Sequence, residues 1–352
     1  MRGVILVLLV GCYAPEPQAG SPCSEEGQCP RPLVCAMTTQ TCERTDADAA
    51  TVVDDAQDND AQDAPIDVVL IDGCVPSVEI CGDGIDQDCN GSDPGCAAND
   101  VPAGAINITA GGMFTGDALL ARDDVAPNNC GAAGGRDLFF RVTLTAPEVY
   151  YVDTFGSSFD TIVRVYAKPC AQVGSGAGAA ACADDACNSD QSQVAVPLPV
   201  GESCIVVDQA NANESGALTL RVIRGGRNGA TLATGVQTTA GDTTNFTNVT
   251  DPIDMCDEPG AGGRDIAYFF TVCPGASMLL DADLCPEPGG WDPALYVTRV
   301  DSGTQLACND DNCGWGPRLS NIAIANGRLF VLYVDGYDSS SFGPFSLDTN
   351  IR

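Results

Sequence analysis

Two stretches of this chain are written twice. CGAAGGRDLFFRVTL, beginning at Cys130, returns as CDEPGAGGRDIAYFFTV, beginning at Cys256; CADDAC, at Cys182, returns as CNDDNC, at Cys308. In both copies 52 positions separate the first cysteine from the second motif. Each copy then closes on a related run, CIVVDQANANESGALTLRV in one and LFVLYVDGYDSSSFGPFSLDT in the other. A period of about 126 residues is too long for a solenoid unit and suits a duplicated domain. Whatever fold one copy adopts, the other must be able to adopt.

Within a copy the pattern is that of strands. LFFRVTL, VYYVDTF, TIVRVYA, VAVPL, CIVVDQA and LTLRVIR are short, rich in β-branched and aromatic residues, and bounded by Gly, Pro, Asn, Asp and Ser. No stretch sustains a 3.6-residue period between caps. The expected class is mainly β: two tandem antiparallel β-sandwiches of jelly-roll type, residues 99–226 and 227–352, behind a Cys-rich module and an acidic linker.

The order GGRD, then FDTIVRVY or WDPALYVTRV, then C-x-D-D-x-C, then VDGYDSSSFGPFSL resembles bacterial pre-peptidase C-terminal-type domains, and the related sandwich repeats of lipoproteins of myxobacterial type. The resemblance spans residues 104–352. It implies a jelly-roll-like accessory domain with an adhesive role, and no catalytic domain accompanies the copies.

The chain has no histidine. That excludes a Ser-His-Asp or Cys-His nucleophile, a His general base and most catalytic zinc sites. A formal charge of −32 argues against nucleic acid as a partner and against docking on anionic membrane surfaces. Nineteen cysteines spread along the chain read as disulfides in an exported protein, exposed to an oxidising compartment.

The N-terminus, MRGVILVLLVGC, has one arginine, a short apolar run and Leu9-Val10-Gly11-Cys12. It resembles a bacterial lipoprotein signal, with residues 1–11 removed and Cys12 taking the lipid; the apolar run is too short to span a bilayer. Removing Cys12 leaves an even eighteen cysteines. The expected partner is therefore a membrane, reached through the lipid, and the expected location the bacterial outer membrane or cell surface. Residues 12–44, with Cys23, Cys29, Cys35 and Cys42, read as a small disulfide-shaped module. Residues 45–73, with nine aspartates and no basic residue, read as an extended acidic spacer.

Each sandwich copy holds five cysteines, an odd number: Cys130, Cys170, Cys182, Cys187 and Cys204, then Cys256, Cys273, Cys285, Cys308 and Cys313. One arrangement that balances them joins Cys130 to Cys256 across the copies, with Cys170–Cys204, Cys182–Cys187, Cys273–Cys285 and Cys308–Cys313 inside them; other pairings remain open.

Residues 74–98 contain EICGDGIDQDCNG, Glu79 to Gly91. From Asp86, the run Asp-Gln-Asp-Cys-Asn-Gly matches the first half of a calcium loop. Asp86, Asp88 and Asn90 offer alternate oxygens, Gly91 allows the turn, and Ser92 offers a carbonyl. The bidentate Glu expected twelve residues in is replaced by Ala97, so Asp83, Asp93, Glu79 or water must complete the shell. The thirteen-residue string also resembles the MopE-type metal-binding motif of secreted bacterial proteins. Without histidine, oxygen ligands favour Ca2+. The alternative is a Gly-rich turn stapled by Cys81 and Cys89, with Cys74 and Cys96, whose acids face water. Asp184, Asp185, Asp310 and Asp311 raise the same choice between metal ligation and turn geometry, and Asp160 and Asp292 read as strand starts.

The functional expectation is a non-enzymatic, surface-anchored lipoprotein with a calcium loop and two sandwiches that bind a glycan or protein. Trp291, Trp315, Tyr337 and Phe342 would offer faces for sugar rings. The rival expectations are a hydrolase or protease accessory protein working through Asp pairs, and a purely structural envelope protein.

Overall fold

The computed structural model describes residues 34–36, 41–43, 75–77, 79–125, 135–174, 178–211, 216–227, 229–253, 256, 262–285 and 289–352. It divides into two units, Met1–Val69 and Leu70–Arg352. In the first, β1 (Val34–Ala36) pairs antiparallel with β2 (Thr41–Glu43), Cys35 opposite Cys42. Cys12, Cys23, Cys29, the spacer 45–73 and Cys74 lie outside the described residues.

The second unit is built of strands, with only short 3-10 turns between them among the described residues. The first copy contributes β3 (Ile106–Asn107), β4 (Gly112–Asp117), β5 (Asp137–Leu144), β6 (Glu148–Asp153), β7 (Thr161–Tyr166), β8 (Ala181–Ala183), β9 (Gln193–Leu198), β10 (Gly201–Gln209) and β11 (Ala217–Gly226). The second contributes β12 (Gly229–Thr231), β13 (Gly235–Asp242), β14 (Ile266–Thr271), β15 (Ser277–Asp283), β16 (Pro293–Arg299), β17 (Thr304–Asn309), β18 (Arg318–Ala325), β19 (Leu329–Gly336) and β20 (Pro344–Ile351).

The first copy forms the sheets β3-β5-β10-β7-β8 and β4-β11-β6-β9; the second forms β12-β14-β19-β16-β17 and β13-β20-β15-β18. Adding nine to each strand number converts one pair of sheets into the other, so the written repeat is a repeat of topology. Setting aside β3 and β12, each copy is two four-stranded antiparallel sheets in jelly-roll order. β3 and β12 are added in parallel on β5 and β14. Chain alternation fills each core: Leu138, Phe140, Val142 and Leu144 of β5 face Tyr150 and Val152 of β6 and Leu218, Leu220 and Val222 of β11 in one cluster. The second core repeats this with Tyr268, Phe270, Leu295, Val297, Leu332 and Leu347. β13, an edge strand, reads Gly-Val-Gln-Thr-Thr-Ala-Gly-Asp and alternates half-buried with exposed, as one-sided burial requires.

Strand β6 is buried at every position because both of its faces are covered. Tyr150 and Val152 enter the first core, while Val149 and Tyr151 pack against Ala267, Phe269, Leu329 and Val331 of the second copy. Phe269 is fully buried at this seam, worth about 2–3 kcal/mol of transfer free energy. Polar bonds flank it: Arg328 Nη1 and the Tyr151 hydroxyl both donate to the buried Asp153 Oδ2 at 2.8 Å, and Gln193 Nε2 donates to Val272 O at 3.1 Å.

The disulfides correct most of the expected pairings. Cys170–Cys204 forms as expected, with Cα atoms 4.8 Å apart. Cys187, however, bonds to Cys273 and ties the two sandwiches, while Cys256 bonds to Cys308 and Cys285 to Cys313. Cys182 is also disulfide-bonded, but not to Cys187. The CADDAC and CNDDNC pairs do not close on themselves, because the strand ends within each motif and the chain bends before the second cysteine. Cys182 and Cys308 stay on β8 and β17, while Cys187, at φ 61°, turns toward the neighbouring sandwich. The cross-link expected at Cys130–Cys256 is absent, since Cys256 pairs inside its own copy; Cys130 lies outside the described residues.

Candidate functional site

The Glu79–Gly91 segment is a compact loop held to the first sandwich by two arginines. Arg122 donates from Nε (3.0 Å) and Nη2 (2.7 Å) to Cys81 O, and Arg136, the arginine of the first GGRD, donates from Nη2 to Glu79 O. The staple is Cys81–Cys96, with Cα atoms 5.0 Å apart, and not Cys81–Cys89. Gly82 N bonds to Pro94 O at 2.9 Å, which brings the chain back beside residue 81, while Cys89 sits at φ 62° at the turn and is disulfide-bonded elsewhere.

Inside the loop the acids divide into two sets. Asp83 and Asp93 shape the turn: Asp93 accepts from Gly82 N (2.7 Å) and Gly84 N (2.6 Å), and Asp83 from Ile85 N (2.9 Å) and Gln87 Nε2 (2.7 Å). Asn90 and Ser92 bind each other, Ser92 N and Oγ donating to Asn90 Oδ1 at 3.0 and 2.8 Å. Asp86 and Asp88 likewise accept a turn amide, Asn90 N at 3.0 Å, but with Glu79 they also converge, one carboxylate oxygen of each lying within 4.8 Å of the others. Gly91, at φ 95°, supplies the left-handed turn that lets its N–H reach Asp86 Oδ2 at 2.7 Å.

Glu79 is one of the residues that the spacing offered only to complete the shell. It is 7% exposed. Its Oε2 accepts from Gln87 N and Asp88 N, both at 3.0 Å, and its Oε1 is buried with no hydrogen-bond donor. Oxygens spaced by up to 4.8 Å suit one ion about 2.4 Å from each, which is a Ca2+–oxygen distance. The available signal was Glu79's place at the head of the motif, ahead of the first cysteine.

The paired acids behave differently in the two copies. Asp184 and Asp185 join Asp160 within 4.8 Å, and burial together with Asp185 pushes Asp184 above the ordinary carboxylate range. Asp310 and Asp311 form no such group with Asp292 among the described residues. Of the four aromatic faces, Trp291 is in the core, 5% exposed, its indole N–H bonded to Pro344 O at 3.1 Å. Phe342 is covered by the Arg264 guanidinium at 3.9 Å, Tyr337 is half-buried, and Trp315 is 53% exposed. A cavity of about 960 Å³ opens instead beside the seam, lined by Glu148 and Pro197 of the first sandwich and by Ala230, Thr239, Asp242, Phe246 and Tyr268 of the second. Burial pushes the phenol of Tyr268 up to about 12.

No family model matches the sequence, and no curated protein matches it. Among solved structures, the chain is similar to the pre-peptidase C-terminal domain of collagenase from Bacillus anthracis, at 15% identity over 35% of this chain and 94% of that one, TM-score 0.23. It is also similar to the CUB1-EGF-CUB2 domain of human MASP-1/3, at 10% identity over 68% and 99%, TM-score 0.17. A third likeness is to Sulfolobus turreted icosahedral virus, at 10% identity over 62% and 57%, TM-score 0.20. Scores this low assign no family. The jelly-roll fold rests on the strand order itself, and the disulfides fit an oxidising compartment. No helix among the described residues is long and apolar enough to cross a membrane.

Proposed function

We propose that this is a non-enzymatic bacterial surface lipoprotein, anchored through Cys12, in which Glu79, Asp86 and Asp88 bind Ca2+ and the paired jelly rolls bind a glycan or protein. The calcium reading is carried by one observation: a buried carboxylate oxygen, Glu79 Oε1, without a donor, in a group of three converging acids. A hard cation supplies what that oxygen lacks, and two arginines and the Cys81–Cys96 bond hold the loop ready for it. The anchor rests on Leu9-Val10-Gly11-Cys12. The recognition role is supported by the seam cavity, whose size is that of a small-ligand pocket.

The test is thermal melting of the full chain against Ca2+. At a hundredfold excess over Kd the folded state gains about 2.7 kcal/mol and the melting temperature rises; Asp86→Ala/Asp88→Ala abolishes the rise. Equal melting temperatures of the unaltered chain with Ca2+ and with chelator would remove calcium from the proposal.

A further inference from the structure

Each GGRD motif ends in an aspartate that stands against a second aspartate on the neighbouring strand. Asp137 lies opposite Asp208 on β10, and Asp265 lies next to the Ile266–Val334 pair, beside Asp335 on β19. All four are buried, at 0%, 2%, 0% and 1% exposure. A Cβ on Gly135 or Gly263 would collide with the carbonyl oxygen of Gln209 or Gly336 and with the second aspartate's Oδ1, which is why glycine precedes the arginine in both motifs. Asp137 Oδ2 accepts from Asp124 N and Val125 N, and Asp265 Oδ2 accepts in the same way from Val249 N and Thr250 N. The Oδ1 atom of each of the four has no hydrogen-bond donor.

The copies differ in what faces the pair. In the first, Arg164 of β7 is fully buried and forms an ion pair with Asp208. Arg164 stands opposite Val206 of β10; the same place in the second copy is Tyr296, opposite Tyr333 of β19. Tyr296 offers a hydroxyl 3.2 Å from both Asp335 Oδ2 and Thr250 O, and its ring stacks on Tyr333 at 4.7 Å. Arg264, next to Asp265, is turned away: it donates to Thr244 O and lies over the Phe342 ring. The remaining charged group facing the pair is Asp251, another acid. Among the described residues, neither Asp265 nor Asp335 has an ion-pair partner.

We propose that Asp265 and Asp335 are a proton-binding pair that stabilises the second sandwich when protonated and loosens it as pH rises. Two buried carboxylates without a counter-cation repel each other and lack solvation, whereas a proton removes one charge and gives an unpartnered oxygen a donor. Burial, and after it the charge of Asp265, pushes Asp335 up to about 7; burial raises Asp265 as well. The folded state therefore binds the proton more tightly than an unfolded chain, whose carboxylates titrate near 3.8. The contribution is complete below about 3.8 and is lost as pH rises through about 7. In the first sandwich Arg164 provides a fixed charge for Asp208, and only Asp137, pushed by burial to about 7, is left to take up a proton.

Both tryptophans of the chain, Trp291 and Trp315, are in the second sandwich, so tryptophan fluorescence of the full chain, melted in chelator, reads that sandwich directly. For each proton released, the unfolding constant rises by close to tenfold per pH unit at about pH 5 to 6, and the melting temperature falls toward pH 8. Asp335→Asn, and independently Asp265→Asn, cuts this slope and melts above the unaltered chain at pH 8, while Asp137→Asn leaves the tryptophan slope in place. A tryptophan transition that is the same at pH 5 and pH 8 overturns the proposal, as does an unchanged slope in Asp335→Asn. So does failure of both amide variants to fold, because an amide mimics the protonated acid.

Discussion

The two sandwiches share every strand pairing and differ in how they use their few cations. In the first, the GGRD arginine, Arg136, bonds Leu119 O of its own copy and also reaches Glu79 O of the loop, and Arg164 neutralises a buried aspartate. In the second, the corresponding Arg264 makes the matching bond to Thr244 O but lies over the Phe342 ring, and a tyrosine stands where Arg164 would be. The lesson is a division of labour within the motif. Glycine and aspartate set the strand contact that both copies need, the arginine between them holds the turn carbonyl of its own copy in both, and only its remaining contact, the Glu79 loop or the Phe342 ring, differs.

Four substitutions probe this contrast. Arg164→Met leaves Asp137 and Asp208 buried with no cation, and the expected loss is about 3–5 kcal/mol, read as a lower denaturation midpoint by near-ultraviolet circular dichroism; the tryptophan transition moves less. If both transitions move equally, the sandwiches unfold as one unit and the contrast is not energetic. Phe269→Ala, at the seam, is expected to remove about 3 kcal/mol and, unlike Arg164→Met, to lower both transitions together. Smallest is Arg122→Ala, which removes two bonds to Cys81 O from a side chain that is itself exposed. It costs about 1 kcal/mol, seen as faster amide exchange at Gly82–Gly91, whereas Arg264→Ala leaves exchange in that loop unchanged.

Much of the architecture was legible in the residues. The doubled GGRD and C-x-D-D-x-C motifs implied two copies of one fold, and strand alternation with frequent turn residues implied jelly rolls, which the sheet order bears out. Cysteine parity was a poorer guide, because a disulfide depends on which side of a strand each Sγ leaves, and Cys187 turns toward a partner 86 positions away. The loop acids were legible as a group but not by role. Asp83 and Asp93 look the same in sequence as Asp86 and Asp88, and only the backbone path shows that all four accept turn amides while the second two also converge on Glu79. Arg164, within the apolar run TIVRVY, was the visible trace of a buried ion pair, but Tyr296 carries no comparable mark as its counterpart.

The Cys187–Cys273 bond also changes what a mechanical load can do to this molecule. A pull applied from the N-terminal side of the first sandwich to the C-terminus crosses from one sandwich to the other through sulfur, bypassing the backbone between those residues. The 86 positions spanned by the bond would extend to about 300 Å at ~3.5 Å per residue. That length is withheld from the stretched chain until the bond is reduced.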